Sequence, residues 1–277
     1  MRKLISLSML ALLTSCGLDP HPPTSSSTPI KGEYIYRYDK DCLFQIDPML
    51  PQKRPDYPWD KGRTRPFPKI TKDFFRCNGS LLNPVRIVQK DKDKEATRYY
   101  DCGGPQKHSL PLRDQKEFIY PILIDLLNYL QESTNKRVVI TSGHCCPEHN
   151  AYLDSSTYNQ SSKHLIGAEV DFYMQGMEEE PLKVIDLLLA YYTQQPKYQG
   201  KKEYQFIRYE QLEKINVTTP PWYNKEVFIK LYKKNEGRDF DNRHPHPYIS
   251  IQARYDYDLQ ERVNYSWDKA YHNFHRY

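Results

Sequence analysis

Between Phe118 and Leu130 the residues Ile119, Ile122, Leu123, Leu126, Leu127 and Leu130 fall at helical spacing. The spacing predicts a core helix that Asn135 and Lys136 end. The run Arg137-Val138-Val139-Ile140-Thr141-Ser142 then predicts a buried strand, which delivers residues 143–150 as a loop, and Glu148 to Tyr152 open a short helix. Glu169-Val170-Asp171-Phe172-Tyr173-Met174 predicts a second strand, and Leu182 to Tyr192 a second long helix with apolar residues three and four apart. Phe206-Ile207 and residues 244–255 supply further strands. Upstream, residues 31–112 hold many prolines, few long apolar runs and the polar stretch Lys90 to Glu95. They predict short strands and loops that form a lid, flank a substrate or, as the plainest role, scaffold the rest. The expected class is α+β: a small antiparallel sheet flanked by helices, behind a loop- and strand-rich N-terminal extension.

The ends change this picture. Arg2 and Lys3 precede the apolar Leu4 to Leu13, too short a run to span a bilayer, and Leu13-Thr14-Ser15-Cys16-Gly17 follows. This pattern resembles a bacterial lipoprotein signal, which implies removal of residues 1–15 and lipidation of Cys16. Glycine at position 17 resembles lipoproteins sent onward to an outer membrane, facing the periplasm, in a bacterium with two membranes. Residues 16–31, with the proline-, serine- and threonine-rich His21 to Pro29, read as a tether. The expected layout is an extension over 32–112, a core over 113–258 and a tail over 259–277.

Composition narrows the partners. A net charge of +5 on 277 residues, with lysines dispersed among acids and tyrosines, does not indicate nucleic acid, and suits an anionic cell-wall polymer. Six cysteines less Cys16 leave an odd number in a compartment that oxidises thiols. Aromatic residues precede both Cys77 and Cys102 and glycine follows each, as if two strands met across a disulfide. Cys145 and Cys146 read as a disulfide with each other or with Cys42, or as thiols near a metal.

His164 and Asp171 carry the chemistry. Zinc takes imidazole nitrogen and carboxylate oxygen, and a catalytic site needs only three protein ligands. His244-Pro245-His246 offers the third: alternation puts both imidazoles on one face of an extended segment, so that one would bind metal while the other handles protons.

Ser162-x-His164-x6-Asp171 followed by His-x-His, and preceded by Thr141-Ser142-Gly143 and Pro147-Glu148-His149-Asn150, resembles the zinc D-Ala-D-Ala carboxypeptidases and related peptidoglycan metallopeptidases. The match runs from about Lys116 to Asp258 and implies the same α+β layout around one Zn2+. It implies His246 as third ligand and His244 as the proton-handling imidazole. In a second register, Asp241-x-x-His244 makes His244 the ligand and Asp241 the base. Ser162 would brace the loop of His164, and Gly167 would permit the turn after it. Glu169, where the family has alanine, either faces solvent or adds charge near the site. The resemblance further implies peptidoglycan stem peptides as substrate, at the cell envelope, with the lipid on Cys16 holding the chain to a membrane. One departure bears on activity. Cys145 stands where the family has a substrate-holding arginine, and a cysteine presents no cationic fork to a carboxylate. Arg137, Arg208 or Arg243 would have to replace it, or cleavage would favour internal cross-links over a free terminus.

Overall fold

Pro121 sets the first turn of α1 (Pro121–Thr134), where a missing N–H costs nothing. Asn135 closes it in the left-handed conformation, φ 52°, its N–H donating to the Gln131 carbonyl at 2.9 Å. The helix predicted from apolar spacing is therefore present, with Ile122, Leu123, Leu126, Leu127 and Leu130 buried. The computed structural model describes residues 67–89, 95–234, 236–237 and 246–277. Leader, tether, Cys16, Cys42, Asp241, Arg243 and His244 lie outside them.

Two short antiparallel pairs precede α1: β1 (Arg86–Val88) with β2 (Thr97–Tyr99), and β3 (Leu112–Arg113) with β4 (Lys116–Glu117). After α1 come β5 (Val138–Ser142), α2 (Pro147–Leu153), β6 (Glu169–Met174) and α3 (Pro181–Gln194). The chain continues through β7 (Ile207–Arg208), β8 (Trp222–Tyr223), β9 (Val227–Tyr232) and β10 (Tyr248–Ala253). A third small pair, β11 (Tyr255–Asp256) with β12 (Glu261–Arg262), leads to α4 (Trp267–Tyr271). The α+β class is as expected, but the main sheet is larger than the sequence suggested. It has six strands in the order β5-β6-β10-β9-β8-β7, each pair antiparallel.

Period-two alternation divides this sheet into an apolar and a polar face. Val170, Phe172 and Met174 of β6, Ile249 and Ile251 of β10, and Ile229 and Leu231 of β9 are all buried in one core with residues of α1 and α3. Each such side chain stabilises the fold by about 1.5–3 kcal/mol relative to exposure. The other face carries Glu169, Asp171, Lys230, Tyr232, Ser250 and Gln252. The register pairs Asp171 with Ser250 and Ser250 with Lys230, so the three form one row. Between Ile140 and Ser142 the β5–β6 register slips by one residue, and this bulge brings Ser142 opposite Asp171.

Residues 63–277 form one compact unit. Its core runs across the boundary drawn at residue 112, because Ile70, Phe75 and Leu110 pack into it, and it includes Val263 and Ala270 from the segment read as a tail. Asn128 ties the early segment down: its amide accepts from the Ile70 N–H and donates to the Ile70 carbonyl, each at 2.9 Å. No helix among the described residues is long and apolar enough to cross a membrane.

Candidate metal centre

The bulge in β5 sends the chain into Gly143-His144-Cys145-Cys146, a loop pressed between two other segments. Phe75 lies so close to Gly143 that an added Cβ would stand 2.6 Å from the Phe75 Cα. On the other side the loop bonds with the 3-10 turn Lys163–Ile166: the Cys145 N–H donates to the His164 carbonyl at 3.3 Å. Ser162 begins that turn, its Oγ accepting the His164 N–H at 3.3 Å, and Gly167 ends it at φ +67°, with Ile119 packed where a side chain would stand.

His164 is completely buried, and its ring is held from one side. Nδ1 donates to the Gly143 carbonyl at 2.6 Å, which leaves Nε2 as the nitrogen with a lone pair. Nε2 has no hydrogen-bond partner, lies 3.4 Å from Asp171 Oδ2 and 3.9 Å from Glu169 Oε1. One ligand atom from each of these three side chains falls within 4.8 Å of the others, close enough to hold one metal ion. A buried imidazole presenting an unpartnered nitrogen to two carboxylates fits a cation of the zinc type.

Glu169 is thus brought into the site, where the sequence left its direction open. Its Oε1 accepts from Ser250 Oγ at 2.9 Å and from Gln252 Nε2 at 2.7 Å. Burial works against its ionisation, yet the charge of His164 whenever that ring is protonated, the charge of Lys230 and the Gln252 bond outweigh it and hold the carboxyl below its ordinary range. Lys230, which sequence reasoning passed over, places Nζ 3.6 Å from Glu169 Oε1 and donates to Tyr232 Oη at 2.8 Å. Although burial disfavours its charge, Tyr232 and Glu169 more than compensate and push its pKa up. A signal for it was present. In Val227-Phe228-Ile229-Lys230-Leu231-Tyr232 the alternation sets Lys230 on the face opposite the apolar residues.

Above these groups lies a cleft of about 950 Å3, lined by Glu169, Asp171, Lys230, Gln252 and the rings of Tyr209 and Tyr223, among others. Two of the three grouped side chains, Glu169 and Asp171, line it, and His164 is fully buried.

Other expected residues lie elsewhere. His246, the expected third ligand, is not in the close group. It precedes β10, and its ring stands 6.0 Å from that of Tyr173. The reason is register: Ser250 pairs with Asp171, and His246 lies before the strand begins at Tyr248, at the end away from Glu169, which pairs with Gln252. Glu169 takes its place in the group. Cys145 is not in the group either. It is buried beside Tyr152 and Leu153, with Sγ 3.5 Å from Ser142 Oγ. Of the arginines considered as substitutes, Arg208 lies over the Trp222 ring at 3.7 Å, on the outer strands of the sheet. Cys77 and Cys102 do meet, but their sulfurs are 3.7 Å apart, far beyond the 2.03–2.05 Å of a disulfide. The four described cysteines make no disulfide with one another, Cys145 and Cys146 included.

Compared with family models, with curated proteins and with solved structures, the chain shows no match.

Proposed function

We propose that the chain is a zinc-dependent peptidase of the cell envelope, lipid-anchored through Cys16, that cleaves D-amino-acid-containing bonds in peptidoglycan stem peptides. The observation that carries this reading is the fully buried Nε2 of His164, without a hydrogen-bond partner and 3.4 Å from Asp171 Oδ2 and 3.9 Å from Glu169 Oε1, two carboxylates that line the cleft. His164, Asp171 and Glu169 would hold the cation, which when bound supplies Lewis acidity toward a carbonyl and toward water. Gly143 fixes the tautomer of His164 through Nδ1. Lys230 is the buried cation beside Glu169 and would stabilise negative charge as a point charge, without bidentate grip on a carboxylate; Lys163, Lys214 and Arg254 also line the cleft. Cys145, standing where the resemblance would have arginine, favours internal cross-links over free C-termini. Proton transfer falls to His244 or, in the second register, Asp241. The tyrosines of the cleft offer faces for sugar rings.

A metal-stabilised binding protein is the second reading, and one observation favours it: Lys230 already neutralises part of the carboxylate charge without chemistry. The test uses the full chain carrying Cys16→Ala, loaded with zinc and incubated with purified muropeptides. Mass spectrometry should show new peptide products, absent for His164→Ala and Asp171→Asn. If the loaded protein loses a zinc equivalent on His164→Ala yet yields no product from cross-linked or linear muropeptides, the binding reading replaces the peptidase.

A further inference from the structure

A second cluster, outside the cleft, consists of Cys77, Cys102, His108 and Cys146, all buried, with one ligand atom from each within 4.8 Å of the others. Three separate segments supply them. Cys77 follows the 3-10 turn Lys72–Phe75, Cys102 and His108 flank a glycine-containing loop, and Cys146 caps α2. The Cys77 and Cys102 sulfurs are 3.7 Å apart, and Cys102 Sγ is 3.7 Å from His108 Nε2. A tetrahedral zinc with bonds of about 2.3 Å to sulfur and 2.0–2.1 Å to nitrogen spaces its ligand atoms roughly 3.5–3.8 Å apart. Two of the six separations therefore already match an edge of such a tetrahedron, and the others lie within 4.8 Å.

The surroundings are those of a ligand set. His108 Nδ1 donates to the Ser109 carbonyl at 3.1 Å, which leaves Nε2 toward the sulfurs. Backbone N–H groups point at two sulfurs: Gly104 N to Cys102 Sγ and His149 N to Cys146 Sγ, each at 3.4 Å. Gly79 is packed against the cluster so tightly that a Cβ there would fall 2.1 Å from Cys102 Sγ. Asp101 and His149 also lie beside Cys102, but the Asp101 carboxylate and His149 Nδ1 are taken. Asp101 accepts from His149 Nδ1 at 2.6 Å, the Cys102 N–H at 2.7 Å, the Ser80 N–H at 2.9 Å and Asn83 Nδ2 at 2.6 Å. That carboxylate orders the loop and leaves four ligands of the type Cys3His.

We propose that Cys77, Cys102, Cys146 and His108 bind one structural zinc ion, separate from the ion at His164. Binding converts three thiols to thiolates, with their protons released to solvent, and all four positions are filled by protein, so this centre holds segments together and performs no hydrolysis. Without a cation three buried thiols cannot all ionise.

The full chain carrying Cys16→Ala and His164→Ala isolates this centre. It should retain one zinc equivalent, and X-ray absorption at the zinc edge should show sulfur neighbours at about 2.3 Å. Cobalt exchanged into the same protein should show thiolate-to-metal charge-transfer bands, which Cys77→Ser abolishes. Because Cys77→Ser risks failing to fold, alkylation is measured on the protein with all three thiols intact. Cys77, Cys102 and Cys146 should resist iodoacetamide with zinc bound and react together after chelation. Retained zinc with only nitrogen and oxygen neighbours, absence of zinc from the folded protein, or a peptide map showing these cysteines in disulfides would overturn the proposal.

Discussion

Replacing Lys230 by methionine removes the buried cation of the cleft floor while keeping most of its volume. Lys230 Nζ stands 3.6 Å from Glu169 Oε1, and both side chains are nearly inaccessible, at 11% and 6%. At an effective dielectric of about 20, unit charges at that separation attract by about 4–5 kcal/mol. Removing one partner of a buried pair commonly costs about 3–5 kcal/mol, because the remaining charge is left uncompensated. Lys230→Met should therefore destabilise the zinc-free protein by roughly this amount, and a divalent cation between His164, Asp171 and Glu169 should restore much of the loss. Urea unfolding of both proteins, with chelator and with excess zinc, measures this. Zinc should stabilise the variant by more than it stabilises the parent; zinc bound by the cysteine cluster is common to both and cancels in the difference. An equal zinc effect in the two proteins would refute the reasoning that Lys230 and a metal serve the same carboxylates.

Asn128→Ala should cost about 2–6 kcal/mol by urea unfolding, since the buried N–H and carbonyl of Ile70 each lose their partner at about 1–3 kcal/mol per group; a loss below about 1 kcal/mol would contradict that accounting. Gly143→Ala pushes a methyl onto the backbone of Phe75, so calorimetry should show a lower Tm, and dialysis a weaker hold on zinc as the carbonyl that orients His164 shifts. Glu117 accepts both arms of the Arg76 guanidinium at 2.9 and 2.7 Å, and these bonds, against burial, hold its carboxyl below the ordinary 4.5. Its folded pKa is depressed, so its stabilisation is present above the unfolded value and lost as pH falls through the folded one. Glu117→Gln should thus be less stable than the parent at neutral pH, with the gap closing below about pH 4.5 in acid-titrated unfolding.

Much of the frame was legible because it rests on local pattern. The apolar spacing of α1 and α3, the strand runs of β5 and β6 and the left-handed stop at Asn135 are properties of neighbouring residues. The strand β9 was equally legible and was passed over, although Val227, Ile229 and Leu231 alternate with Phe228, Lys230 and Tyr232. What sequence could not supply was register. His246 and Asp171 look like partners in a line of text, but antiparallel pairing sets Ser250 across from Asp171 and moves Glu169 beside His164. The cysteines show the same limit. Sequence brought Cys77 and Cys102 together as a pair, whereas His108 and Cys146 join them only through the path of the chain past β5.

The loop Gly143 to Cys146 serves two masters within four residues: its first carbonyl aims His164, and its last sulfur belongs to the cysteine cluster. Thermodynamic linkage then makes the two centres reciprocal. Whatever stiffening of this loop by one ion lends to the affinity of the other must be returned in equal measure. Where zinc fills both proposed centres, titration should accordingly show the two equivalents taken up with positive cooperativity.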